Sequence, residues 1–153
     1  MDLILWRHAE ARDAPDGEDD LEHPLTGKGE RHARRVAQWL NRHLPDSARV
    51  LASPAVHTCQ TAEALGRHFK IDSALAPGRS VDDLLKCTRW PDRREPVLVV
   101  GHQPTLGLTA ARLMGGVAQT WTIRKGALWW LRVRGTDAAA AVVLQCVVSP
   151  DSL

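Results

Sequence analysis

"EPVLVVGHQP", residues 95–104, decides how this chain is read. Val97 to Val100 are four apolar residues in a row, three of them β-branched, and Gly101 cuts the run off. A run that short and that apolar predicts a strand covered on both faces rather than a helix. A helix is predicted next, from Thr105 to Met114, with Gly115 and Gly116 stopping it. A buried strand running straight into a helix is the repeating unit of an α/β sheet. The residue left just past the end of this strand is His102.

The same unit recurs toward the N-terminus. Leu3 to Trp6 predicts a second covered strand, followed by a polar Asp/Gly/Pro-containing loop through Pro24. A helix is predicted from Thr26, because Ala33, Val36, Ala37, Leu40 and Leu44 recur at three- and four-residue steps on one face. Thr26 can cap it, although no Glu three residues later completes a capping box. "ARVLASP", residues 48–54, predicts a strand ending at Ser53, with Ser53 and Pro54 as N-cap and first residue of another helix. Ala55, Cys59, Ala62, Leu65 and Phe69 would form its buried stripe. A weaker strand-and-helix passage leads to Cys87, and "ALWWLRVRG" (127–135) and "AAAVVLQCVV" (139–148) predict two closing strands. The expected fold is α/β: one three-layer domain over residues 1–153, its mostly parallel sheet flanked by helices.

Composition narrows the class of function. At 153 residues the chain holds one domain with a real core, and 44% hydrophobic with 25% charged residues describes a globular protein. A net charge of +2, with the basic residues scattered, gives no stripe for nucleic acid. The acidic cluster Asp16 to Glu22 reads as a solvated loop. The apolar run Ala138 to Leu144 is too short to cross a bilayer, and "MDLILW" lacks the features of a signal peptide. Cys59, Cys87 and Cys146 share no CxxC spacing, which predicts reduced thiols, no zinc site and a cytoplasmic protein.

In a parallel sheet, ligands bind beyond the carboxyl ends of the strands. Three predicted strands end in chemistry-capable residues: Arg7 and His8, Ser53 with His57 beyond it, and His102. A single histidine in such a place is by default a hydrogen-bonded structural residue. Arg7 alters that balance, because an arginine at the end of a covered strand implies an anion to hold. Its planar fork grips a phosphate in two-point fashion and leaves a neighbouring imidazole able to attack phosphorus. Trp6, Trp39, Trp121, Trp129 and Trp130 read as strand or helix packing, and His23, His32, His43 and His68 as surface residues.

Four segments also resemble a known family. "LILWRHAEA" (3–11) is similar to the Arg-His signature that opens the histidine phosphatase, or phosphoglycerate mutase-like, superfamily. "HPLTGKGERHA" (23–33) resembles its Leu-Thr-x-x-Gly segment, "LASPAVHTCQTA" (51–62) its second phosphate-binding segment, and "VLVVGHQPTL" (97–106) the strand carrying its second histidine. The small size and the "SP…QTA" and "GHQP" forms point to the SixA-like phosphohistidine phosphatases. The resemblance implies a phosphoglycerate mutase-like fold and a phosphatase whose nucleophile is His8. Arg7 would clamp the phosphoryl oxygens, His102 would donate a hydrogen bond to them, and no metal or cofactor would be needed. The implied partner is a phosphorylated protein bearing phosphohistidine, with no nucleic acid or membrane.

The chain departs from that family twice. His57 stands where an arginine is usual, four residues after the serine, so a pH-dependent charge replaces a permanent one. Protonated His57 could bind phosphate, Arg12 could fill the gap, or the site could be a partly degenerate phosphate-binding module. The family's usual glutamate proton donor is also absent: no Glu lies between Glu63 and Glu95, and nothing selects among Asp13, Asp82 and Asp83. A phosphorylated imidazole leaves more readily than an alcohol, which favours phosphohistidine. The alternative is a small phosphomonoesterase acting on a metabolite or nucleotide.

Overall fold

The computed structural model describes residues 1–13, 20–134 and 141–153. It contains the strands β1 (Asp2–Arg7), β2 (Arg49–Ala52), β3 (Lys70–Ile71), β4 (Val97–Gly101), β5 (Leu128–Val133) and β6 (Val142–Val148). Its helices are α1 (Gly27–His43), α2 (Val56–Glu63), α3 (Val81–Thr88) and α4 (Thr105–Gly115). One sheet runs in the order β3-β2-β4-β1-β5-β6. The pairs β2–β3, β2–β4 and β1–β4 are parallel, and β5 is antiparallel to both of its neighbours. The mostly parallel α/β sheet expected from the sequence is what the chain forms. Residues 14–19 and 135–140, with parts of the acidic cluster and of the last predicted strand, lie outside the described residues.

Alternation along the central strands sorts the core into two layers. Ile4, Trp6, Leu98 and Val100 point to one face, where they meet Val36, Ala37 and Leu40 of α1 and Ala62 of α2. Leu3, Leu5, Val97 and Val99 point to the other, against Leu84 of α3 and Leu106 and Ala110 of α4. A strand clothed on both sides must be apolar at every position, which is why β1 and β4 read as unbroken runs.

Two features aim the loop after β1. Thr26 caps α1 by accepting from Gly29 N at 3.0 Å, and its own N–H donates to the Glu10 carbonyl at 3.0 Å. Gly29 is required because a Cβ there would come within 2.0 Å of that same carbonyl. The Leu-Thr-x-x-Gly segment therefore seats the start of α1 on the chain directly beyond His8.

The structure corrects several local readings, among them the buried stripe of α2, which is His57, Thr58, Thr61 and Ala62, while Leu65 and Phe69 lie beyond the end of the helix. Helix α2 begins at Val56 with Ala55 as its cap and no side-chain cap bond, so Ser53 is not its N-cap. Trp121 lies in an irregular segment between α4 and β5 rather than in a strand or helix.

Candidate active site

Register brings the three strand ends together. Arg7 pairs with Gly101 across β1 and β4, and Ala52 pairs with Val100 across β2 and β4. The residues that follow, His8, Ser53 and His102, thus leave the sheet side by side. The ladder continues one step further, with His8 N donating to Gly101 O at 3.1 Å and Ser53 N to Val100 O at 3.1 Å. His57 reaches the same place as the second residue of α2. Ring centroids lie 5.3 Å apart for His8 and His102, 4.4 Å for His8 and His57, and 5.3 Å for His57 and His102. The geometry thus unites all four candidate residues: Arg7, His8, His57 and His102 line one cavity of about 260 Å³.

Each imidazole is oriented by a second polar group. His8 Nδ1 donates to the Ala9 carbonyl at 2.7 Å. A carbonyl can only accept, so in the neutral ring Nδ1 carries the hydrogen and Nε2 the lone pair. By the same reasoning His57 Nδ1 donates to the His23 carbonyl at 3.0 Å. His102 Nε2 is hydrogen-bonded to Ser53 Oγ at 2.7 Å. That bond bears on the misread cap: the serine hydroxyl is engaged at 2.7 Å by a histidine 49 residues away, and the bond it accepts from Ala55 N, at 3.4 Å, stops short of α2 itself. His23, read as surface, is half-buried and works through its backbone.

Arg7 is held but not satisfied. Nη1 donates to the Ile123 carbonyl at 2.9 Å, while Nε is buried with no partner among the described residues. A buried guanidinium donor without a protein partner is costly, and at the cavity edge it is free to serve an acceptor brought by water or a ligand. Burial also lowers the Arg7 pKa. Burial, opposed by the Ala9 carbonyl and reinforced by His57, His102 and Arg7, pushes His8 from 6.5 down to about 3. Burial, together with His57 and Arg7, pushes His102 down to about 4. Near neutral pH these two rings are uncharged, which leaves His8 with a usable lone pair.

Sequence reasoning missed part of the wall. Gln103 and Lys125 line the cavity, as do Arg12 and Asp13. Gln103 is fixed by donating to the Trp121 carbonyl at 2.8 Å and accepting from Gly107 N at 2.8 Å. Gly107 is needed there, because a Cβ would come within 1.7 Å of the Trp121 carbonyl. Lys125 precedes Gly126, whose φ of 76° turns the chain back beneath Arg7. The "GHQP" form includes Gln103 without giving it a role, and no local pattern marks Lys125. Of the three acids considered, Asp13 alone lines the cavity, since Asp82 pairs with Arg112 at 2.7 Å and Asp83 caps α3 while bonding Arg79.

Three imidazoles and a guanidinium with an unmet donor around one small cavity make a site suited to an anion. Comparison with known proteins agrees. The chain belongs to the histidine phosphatase superfamily (branch 1), whose family model matches residues 3–78. An uncharacterised protein of Picosynechococcus is 37% identical over 125 residues, covering 76% of this chain and 74% of that protein. A solved structure under the name phosphohistidine phosphatase SixA, from Nakamurella multipartitia, is 32% identical with a TM-score of 0.80, covering 97% of this chain and 95% of the other. A protein histidine phosphatase SixA complexed with tungstate is 25% identical with a TM-score of 0.81, covering 99% of each chain.

Proposed function

We propose that this chain hydrolyses protein-borne phosphohistidine through a phosphohistidine intermediate on His8. The observation that carries the reading is the His8 Nδ1 bond to the Ala9 carbonyl, which leaves Nε2 as the nucleophilic nitrogen in a cavity that also holds Arg7, His57 and His102. Nε2 attacks phosphorus, the P–N bond to the substrate imidazole breaks, and the departing ring takes a proton from the solvent that reaches the open cavity. Water then attacks the phosphoryl group on His8, releasing phosphate and regenerating the neutral ring. Arg7 Nε finds its missing acceptor in a phosphoryl oxygen, and His102 donates to another as charge moves. His57 binds phosphate less firmly than an arginine would.

These side chains supply nucleophile, clamp and positioning, so the reaction needs no metal and survives chelation. The names of the SixA neighbours support the substrate class. So does the cavity wall, where among the described residues the one carboxylate, Asp13, is exposed rather than held as a buried acid. Incubation with a phosphohistidine-bearing protein and with an aryl phosphate, each in the presence of EDTA, tests the reading. Turnover of the first alone supports it. Comparable turnover of both favours a small phosphomonoesterase with Asp13 as proton donor, and tight phosphate binding without turnover favours a binding module.

A further inference from the structure

We infer that His8, His57 and His102 form a binding site for one divalent transition metal of the zinc class, an occupant alternative to the phosphoryl group. One ring nitrogen of each residue lies within 4.8 Å of those of the other two. Zinc–imidazole bonds of about 2.0–2.1 Å place three tetrahedral ligand atoms roughly 3.4 Å apart, so closure asks each ring to shift by less than about 1 Å. His57 and His102 are buried, at 1% and 6% exposure, so two of the three rings are already removed from water.

The surroundings fit a metal as well as the ligands do. An imidazole that ligates a metal normally has its other nitrogen held by a carbonyl or similar group, which fixes its tautomer and direction. All three rings have such an anchor: the Ala9 carbonyl for His8, the His23 carbonyl for His57 and the Ser53 hydroxyl for His102. Three histidines leave a fourth position open, and the cavity wall of Arg7, Arg12 and Lys125 favours an anion there. An all-imidazole donor set suits zinc, copper or nickel rather than magnesium or calcium.

The feature that creates the site is His57. An arginine at this position has no lone pair to give and adds a positive charge. Metal capture therefore follows from the same substitution that weakens the phosphate grip. The two occupants exclude one another, because the His8 lone pair that would attack phosphorus would bind the metal. Binding stands on the three imidazoles alone, and only the consequence, a phosphatase inhibited by zinc and restored by chelation, rests on the proposed function.

Titration of the metal-free protein with Co²⁺, read by visible absorption without any substrate, tests the site. One equivalent per chain should give the intense bands of four-coordinate cobalt, and Zn²⁺ should displace it. His57→Arg and His57→Gln, checked for folding by circular dichroism, should each weaken binding by at least about tenfold. X-ray absorption of the zinc-loaded wild type, which depends on no variant, should show three imidazoles. Absence of binding, affinity retained by either folded variant, or two imidazoles or fewer at zinc would overturn the inference. Cobalt binding in a protein that turns over no phosphorylated substrate would retain the metal site and sink the phosphatase reading instead.

Discussion

The two ends of β1 carry opposite charges and meet opposite fates. At its start, Asp2 accepts from Arg132 Nε at 2.8 Å, Arg132 Nη2 at 2.9 Å and Trp130 Nε1 at 3.0 Å. Burial alone would raise the Asp2 pKa, but the bonds from Arg132 and Trp130 outweigh it and hold the carboxyl below its ordinary range. At its end, Arg7 keeps a buried Nε without a partner among the described residues, beside two histidines stripped of their usual basicity. The larger hollow, about 570 Å³ around Arg49, Arg67 and Lys70, belongs with the satisfied end. Its Arg67 is already bonded to Asn41 and to the carbonyls of Leu44 and Pro45. Unmet charge alone does not mark the site, since Arg93 Nη1 also lacks a partner among the described residues; what distinguishes this end of β1 is that its unmet guanidinium shares a cavity with three imidazoles.

Substitutions at the waiting end should cost chemistry. The largest effect belongs to His8→Ala, which should lower phosphate release from every substrate by at least about a thousandfold while the protein stays folded. Activity near that of wild type would remove His8 as nucleophile. Arg7→Met should lower kcat/KM by roughly 100- to 1,000-fold, the range for losing one preorganised donor. A rise in KM alone would mean that Arg7 holds ground state and transition state equally rather than favouring the transition state.

Acid should expose the same strain. Folded His8 and His102 refuse protons that the unfolded chain accepts below about pH 6.5. The unfolded state therefore binds more protons between about pH 6.5 and 3, and stability, whole above that window, falls as pH drops through it. Thermal unfolding from pH 7 to 4 should show a steeper decline for wild type than for a His8→Gln, His102→Gln double variant. Parallel curves would contradict the assignment.

The two smallest effects bear on the comparison from either side. His57→Arg should raise turnover near neutral pH by about tenfold, the value of one added charge-assisted contact. An unchanged rate would show that Arg12 or Lys125 already holds that oxygen. Asp2→Asn, at the satisfied end, should cost about 1 kcal/mol of stability and leave kcat/KM untouched. Loss of activity there would erase the distinction between the two ends.

How much of this was legible in the sequence follows the range of the interactions. β1 and β4 were readable because clothing a strand on both faces forces an apolar run, and His8 and His102 because they stand where those runs stop. The stripe of α1 was equally plain, since Ala33, Val36, Ala37, Leu40 and Leu44 are all buried. Ser53 was misread because a cap is a local pattern, whereas its partner is His102. Nothing near Gln103 or Lys125 shows that a glycine at 107 and a turn at Gly126 would fold them against the cavity. His23 offered a side chain to read, and the structure uses its carbonyl.

Trapping the intermediate tests the central claim most directly. A protein carrying radiolabelled phosphohistidine, mixed with this chain and quenched on the millisecond scale, should transfer label to His8 before free phosphate appears. The label should be stable to base and labile to acid, as a phosphorylated imidazole is. Phosphate released at full rate with no label ever found on His8 would contradict the account.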